Sequence, residues 1–253
     1  LIEELTADLN DEGRIKEIIK TEMLEIKAKF ADPRRTELVA AEDDIVYEDL
    51  IERHTCVVTM THGGYIKRQP ADTYSAQKRG GKGIIGMATK EEDYVEDVIA
   101  ANSHALLMFF TNTGKVHIRK TYQIPEAGRT AKGSNIVNIL ELEAGEKVTA
   151  IISVPGFSDK EYLFMVTKRG IVKKTLLSEF EYQRKGGKIA LTLDDGDELV
   201  YVKHTSGNDD IIIATHDGLS ARFGEEDVRP MGRGARGVKG MTLSDGDYIV
   251  GCA

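Results

Sequence analysis

The sequence contains no tryptophan, only two cysteines and only five prolines in 253 residues. Cys56 and Cys252 are too few for a disulfide framework, and neither has a His or second Cys at metal-ligand spacing. Both read as small strand residues. No apolar run approaches the roughly 20 residues of a membrane-spanning helix, and the N-terminus does not read as a secretory signal. Low-complexity disorder is excluded too, since 41% hydrophobic residues suffice for a core beside 30% charged ones. What is plentiful is glycine, 25 residues. With so little proline, that favours many short strands. The expectation is a soluble cytosolic protein of one large domain or two ordinary ones.

The formal net charge of -8 argues against a nucleic-acid partner only until it is divided along the chain. Residues 1–54 hold 16 acidic and 8 basic side chains, which is the whole surplus, and residues 55–253 hold 26 of each. In the larger part, the arrangement of charge matters more than its total.

The first segment is helical. Ile15, Ile19, Met23, Ile26 and Phe30 recur in steps of 4, 4, 3 and 4, one face of a helix. Asn10 or Asp11 caps its start, and Asp32-Pro33 stops it, because the residue before proline leaves the helical region. Leu1, Leu5 and Leu9 form a second stripe with no cap before it, so the chain is expected to begin inside an element, as a fragment would. Residues 33–54 carry acidic runs, Glu42-Asp43-Asp44 and Glu48-Asp49, and read as a solvated connector with one short strand at Thr36–Ala40.

A repeat governs residues 55–253. Four stretches share a pattern: Thr61-His-Gly-Gly64, Thr111-Asn-Thr-Gly114, Thr167-Lys-Arg-Gly170 and Thr215-His-Asp-Gly218. Each follows an apolar run and precedes a second extended run, which predicts a hairpin turned by glycine. Fifteen residues after each glycine stands Arg79, Arg129, Lys185 or Arg233, and three further on Lys82, Lys132, Lys188 or Arg236. A third apolar run (Ile84–Ala88, Ile136–Leu140, Ile189–Leu193, Val238–Leu243), an acidic turn and a fourth run complete each unit. Four strands in about 50 residues predict propeller-like blades over 55–102, 103–159, 160–209 and 210–253.

Equivalent loops in radially packed blades line up along one rim, and the basic residues concentrate there. The expected contacts for a long polyanion are Lys67, Arg68, Lys78, Arg79 and Lys82 from blade one and Arg119, Lys120, Arg129 and Lys132 from blade two. Blade three adds Lys173, Lys174, Lys185 and Lys188, and blade four Arg222, Arg233 and Arg236. In Gln77-Lys78-Arg79-Gly80-Gly81-Lys82-Gly83, the glycines Gly80, Gly81 and Gly83 let a phosphate approach free backbone N–H groups. Arg79 can fork onto its oxygens, Lys82 adds a point charge, and Gln77 can donate or cap the loop. The stretch lacks the Lys-Ser/Thr pair of a nucleotide-binding phosphate loop. The six histidines are scattered, with His62 and His216 at equivalent turn positions, and no metal site is expected. Tyr65 and Phe223 beside the hairpins read as packing groups, and no catalytic triad or paired carboxylates can be argued from spacing.

Gln77–Gly83 resembles the seven-residue box of the DNA gyrase A family, glutamine-arginine-arginine-glycine-glycine-lysine-glycine, with Lys78 its one charge-preserving departure. Arg14–Phe30 followed by Asp32-Pro-Arg-Arg-Thr36 is similar to the returning tower helix of that family. The resemblance covers essentially the whole chain and implies a mainly β fold, a β-pinwheel whose neighbouring blades exchange strands, after a coiled-coil remnant over residues 1–32. It implies DNA wrapped right-handedly around the perimeter, within an ATP-dependent type II topoisomerase that introduces negative supercoils in the bacterial cytoplasm at the nucleoid. The partners implied are double-stranded DNA, a B subunit and a second A subunit (A2B2), with no membrane. The family's catalytic tyrosine lies upstream of the tower, so no catalytic residue is expected here and the fragment alone should be inactive. No cofactor is expected in this chain, ATP and Mg belonging to the holoenzyme. The family usually has five or six blades, so four suggest truncation or a short wheel. The corresponding domain of topoisomerase IV, whose box is usually degraded, and a propeller acting as a protein-interaction scaffold are the alternative readings.

Overall fold

The structure, a computed structural model, describes residues 2–32, 36, 47–74, 79, 83, 85–182, 184 and 186–253. The strand expected over residues 36–40 falls, apart from Thr36, outside them. The chain forms two units, residues 1–46 and 47–253.

The first unit holds helices α1 (Ile2–Asn10) and α2 (Glu12–Phe30). Asp11 caps α2, its Oδ1 accepting from the Gly13 N–H at 2.9 Å, and Ala31 ends it by donating to the Lys27 carbonyl. The predicted stripe Ile15, Ile19, Met23, Ile26 and Phe30 is present and exposed.

The second unit is built of antiparallel strands. The first sheet has the order β3 (Val95–Asn102), β1 (Thr55–Thr61), β2 (Tyr65–Pro70), β6 (Ser134–Asn135). The second runs β7 (Val148–Val154), β4 (Leu106–Thr111), β5 (Lys115–Lys120), β10 (Lys188–Ile189). The third runs β11 (Leu199–Thr205), β8 (Tyr162–Thr167), β9 (Ile171–Leu176), β14 (Val238–Lys239). The fourth comprises β15 (Ile249–Cys252), β12 (Asp210–Thr215) and β13 (Ser220–Gly224). Each of the first three sheets therefore borrows its last strand from the following repeat. That is the strand exchange the resemblance implied.

Three expectations need correction. The third apolar run is not a strand of its own blade: a two-residue segment at or just before its start pairs with the preceding hairpin, and residues 136–138 form a 3-10 turn. The fourth sheet has three strands among the described residues, not four. The compact unit also begins earlier than the hairpins do. The Glu48 carboxylate accepts from Lys120 at 2.8 Å and lies 3.3 Å from His104 Nδ1, while Ser103 donates to the Glu52 carbonyl. Residues 47–54 are thus fastened to blade two and are not a free linker.

The cores lie between sheets. In β4 every residue is buried. Leu107 and Phe109 face Val58, Met60 and Ile66 of the first sheet, whereas Leu106, Met108 and Phe110 face Leu163 and Met165 of the third. In β8 the alternation repeats, with Phe164 and Val166 packing on Ile211 and Ile213. Period-two alternation in a strand covered on both faces reads as one apolar run, which is what Leu106–Phe110 shows.

Candidate nucleic-acid interface

The four Thr-x-x-Gly segments form one turn, four times. The glycine adopts φ of 78, 76, 81 and 89° at Gly64, Gly114, Gly170 and Gly218, the region only glycine enters cheaply. The threonine hydroxyl accepts from the N–H of the residue that follows the glycine, four positions on, at 3.1–3.3 Å in Thr61, Thr111, Thr167 and Thr215. A carboxylate then clamps each turn to the loop entering the fourth strand of that repeat. Asp93 Oδ1 accepts from Gly63 at 2.8 Å, Asp197 from Arg169 at 3.0 Å and Asp247 from Asp217 at 3.1 Å, while Glu146 accepts from the Thr111 hydroxyl at 2.7 Å. Burial pushes the carboxyls of Asp93, Glu146 and Asp247 up, but these hydrogen bonds outweigh it and hold all three below their ordinary values. Sequence reading missed the clamp. Its signal is a glycine before the acid at Gly145, Gly196 and Gly246, all with positive φ, replaced in blade one by Glu92 at φ 66°.

The cations that begin the second strand of the hairpin are not surface groups. Lys67 is fully buried and donates to the carbonyls of Gly128, Arg129 and Ala131 at 3.0, 2.7 and 3.0 Å. Lys173 is equally buried and donates to Ala190 O at 2.7 Å and to the Arg233 carbonyl. Both ammonium groups thus hold the glycine-rich loop of the next blade. Burial lowers the Lys67 pKa, and burial together with the neighbouring Arg233 lowers Lys173 to about 8. One position later, Lys174 donates to Glu225 O at 2.8 Å, and Arg68 donates to Ile124 O at 3.2 Å and pairs with Glu126. Lys67, Lys173 and Lys174, expected on the DNA track, are interior ties between blades, and Arg68 is engaged in the same work. The physical reason is the pleat: these strands are covered on both sides, so a basic residue there must find carbonyls inside.

In blade two the equivalent position is His117. Its ring packs over Gly187, and both ring nitrogens lack a hydrogen-bond partner among the described residues, with Glu146 3.7 Å away. Burial pushes its pKa down, the carboxylate opposing.

The exchanged strands also correct the sequence register. Ser134 pairs with Ile66, Lys188 with Val116 and Val238 with Val172, so these three are equivalent. They stand 20, 18 and 20 residues after their turn glycines. Blade three is two residues shorter in its loop, and the basic residue at the common spacing, Lys188, is an interior strand residue. It is buried, with its ammonium 3.5 Å from Phe180 O. Glycines of positive φ precede all three strands at Gly133, Gly187 and Gly237. A Cβ on Gly133 would stand 2.4 Å from the Ile66 carbonyl and one on Gly237 2.5 Å from that of Val172, which is why glycine is needed.

The loops themselves carry the open cations. Among the described residues Arg79, Arg129 and Arg184 are exposed and form no ion pair, Lys132 is half-buried over the Tyr65 ring, and Arg233 is half-buried with its Nε unpartnered. Arg222 and Arg236 are exposed but paired, with Asp210 and Asp194. Lys120 pairs with Glu48, and Arg119 donates to the carbonyls of Ile118 and Ile139. Gly83 is described and exposed; Gln77, Lys78, Gly80, Gly81, Lys82 and Lys185 lie outside the described residues. Because β6, β10 and β14 all join the same edge of successive sheets, the loops that precede them occupy equivalent places along the series.

The family described as "DNA gyrase C-terminal domain, beta-propeller" matches residues 57–102, 105–155, 161–206 and 209–253, one stretch per blade. The chain belongs to this family. The gyrase A subunit of Clostridium acetobutylicum is 53% identical over 239 residues, covering 94% of this chain and 29% of that protein. This gyrase-family chain thus spans under a third of the length of the curated relatives it matches. Among solved structures, the C-terminal domain of a DNA topoisomerase IV superposes with a TM-score of 0.68 at 31% identity, covering 80% of this chain and 61% of the other. A DNA gyrase A C-terminal domain superposes at 0.63 and 28%, covering 79% and 64%. The two likenesses are close in size, so what separates gyrase from topoisomerase IV is the sequence of the relatives and of Gln77–Gly83.

Proposed function

We propose that this chain is the part of a DNA gyrase A subunit that binds and wraps duplex DNA, bending it around the loop-bearing edge of the blades by contacts to phosphates. The observation that carries the proposal is the recurrence of open cations, Arg129, Arg184 and Arg233, in loops that lead into equivalent sheet edges, with Arg79 at the matching place in the sequence of blade one. Phosphates carry no base information, so binding is expected to be nearly independent of sequence and to weaken steeply with salt. Curving 20–30 bp costs roughly 1–6 kcal/mol, which a curved row of cations offsets. Gln77, Lys78, Gly80, Gly81 and Lys82 are proposed to contribute from blade one, and Lys132 and Arg236 from blades two and four. In the parent enzyme, with a B subunit and a second A subunit, such wrapping would direct an ATP- and Mg-dependent type II topoisomerase toward negative supercoils in the bacterial cytoplasm; this chain itself would supply neither the catalytic tyrosine nor the ATP site.

The test is ligation of nicked circular DNA in the presence of the chain. Positive writhe trapped in the closed circles supports wrapping of the gyrase kind. Binding without writhe supports the topoisomerase IV reading, and binding indifferent to salt removes the phosphate track altogether. Arg79→Ala with Lys82→Ala is expected to reduce the trapped writhe more than the affinity.

A further inference from the structure

Between blades three and four lies a cleft of about 530 Å³, lined by Ser178, Glu179, Glu181, Tyr182, Arg184, Lys188 and Arg233. Three cations border it, and Lys173, tied to the Arg233 carbonyl, adds its charge. The two lining carboxylates, Glu179 and Glu181, are exposed and form no ion pair among the described residues. The polar groups at its inner end are poorly satisfied. Lys188 is 93% buried, yet its ammonium has one hydrogen bond, a marginal 3.5 Å to Phe180 O, and the face of the exposed Tyr182 ring 5.4 Å away. The Nε of Arg233 is buried and has no partner among the described residues. Buried donors left without acceptors are costly, so a place that keeps two of them beside a recess is shaped for an acceptor it does not itself supply.

We propose that this cleft is an oxyanion seat that takes one phosphate group deeply, with Arg233 and Lys188 as donors at its inner end and Arg184 and the Ser178 hydroxyl at its mouth. The inference rests on the DNA-wrapping reading and deepens it: most loop cations meet the duplex from outside, whereas here a backbone phosphodiester is received in a recess and fixes the rotational setting of the helix on the track. Free inorganic phosphate shares the chemistry and is the other source of such a group. Lys173 and Lys188 both have lowered pKa values, caused first by burial and then by repulsion from neighbouring arginines, which the Glu179 carboxylate opposes only in part. A bound phosphate cancels that repulsion. Glu179 and Glu181 at the rim keep a free oxyanion from being held strongly, which favours the polymer, whose other phosphates are bound elsewhere at the same time.

The experiment follows the lysine side-chain resonances of the whole chain by NMR, with duplex DNA and, separately, with inorganic phosphate. Saturable movement of the Lys188 signals with duplex alone supports the seat with DNA as its occupant. Saturable movement with phosphate as well supports the seat with free phosphate as a second source. Duplex binding that leaves Lys188 unmoved overturns the seat while leaving the wrapping proposal intact, and absence of duplex binding overturns both. Arg233→Gln is expected to lower duplex affinity about 10-fold and the salt slope by about 0.9, against about 3-fold for Arg129→Gln on the open loop of blade two. Equal losses at the two positions would remove any special role for the cleft. Arg184→Ala, at the exposed mouth, gives the same reading should Arg233→Gln disturb the fold.

Discussion

The hairpins and the loops are equally basic in sequence and opposite in physical role. Lys67 and Lys173 sit on strands and spend their charge on carbonyls of the neighbouring blade; Arg129 and Arg184 sit on loops and face water. The difference lies in what surrounds the backbone. A strand covered on both faces forces a cation to be satisfied internally, whereas a glycine-rich loop at a sheet edge leaves it free. A positive patch inferred from basic residues alone therefore overcounts, and the proposed track belongs to the loops, not to the hairpins.

Breaking the interior ties gives the largest expected effects. Lys67→Ala removes three hydrogen bonds from a fully buried ammonium to the carbonyls of the Arg129 loop and should cost about 3 kcal/mol of unfolding free energy, measured by urea denaturation, with a further loss of DNA binding because that loop is released. Gly133→Ala forces a methyl against the Ile66 carbonyl at positive φ and should cost at least about 2 kcal/mol in the same assay. The loop cations should behave the other way. Arg129→Ala should shift stability by no more than about 0.5 kcal/mol, yet reduce the slope of log affinity against log salt by about 0.9. If Arg129→Ala destabilises and Lys67→Ala does not, the division between interior ties and exposed contacts is reversed.

The turn clamps predict a pH response. The carboxyls of Asp93, Glu146 and Asp247 have pKa values below their ordinary 3.8 or 4.5 in the folded chain. Below those ordinary values the unfolded chain binds more protons, so their contribution is complete above about pH 4.5 and is lost as pH falls through the folded values. Thermal unfolding from pH 7 to pH 3 checks it: Asp93→Asn, Glu146→Gln or Asp247→Asn should flatten the fall. The smallest effect sharpens the same motif. Glu92 holds a positive φ where the other three blades use glycine, so Glu92→Gly should raise stability by about 0.5–1 kcal/mol.

Much of the fold was legible because Thr-x-x-Gly turns and apolar runs are local signals. The strand exchange was not, since a two-residue strand such as Ser134–Asn135 has no pattern of its own and exists only where the previous hairpin offers an edge. The loop register misled for a related reason: Lys185 and Lys188 fall at the common spacing in a loop two residues shorter, so identical chemistry hid a shift that strand pairing exposes. The candidate site was half legible. Loop cations could be read from composition and spacing, but the burial of Lys67, Lys173, Lys174 and Lys188 depends on a neighbouring blade about 60 residues away in sequence. Alternation with apolar residues in Tyr65-Ile66-Lys67 was a signal that could have raised the question.

All three cores sit in the seams between sheets, and none of the sheets has an interior of its own. Damage therefore stays where it is made. Hollowing the seam around Phe109 would loosen the first and second sheets from one another and leave the seam around Phe164 intact, so the molecule should melt seam by seam, as stacked repeats do, and not as one droplet.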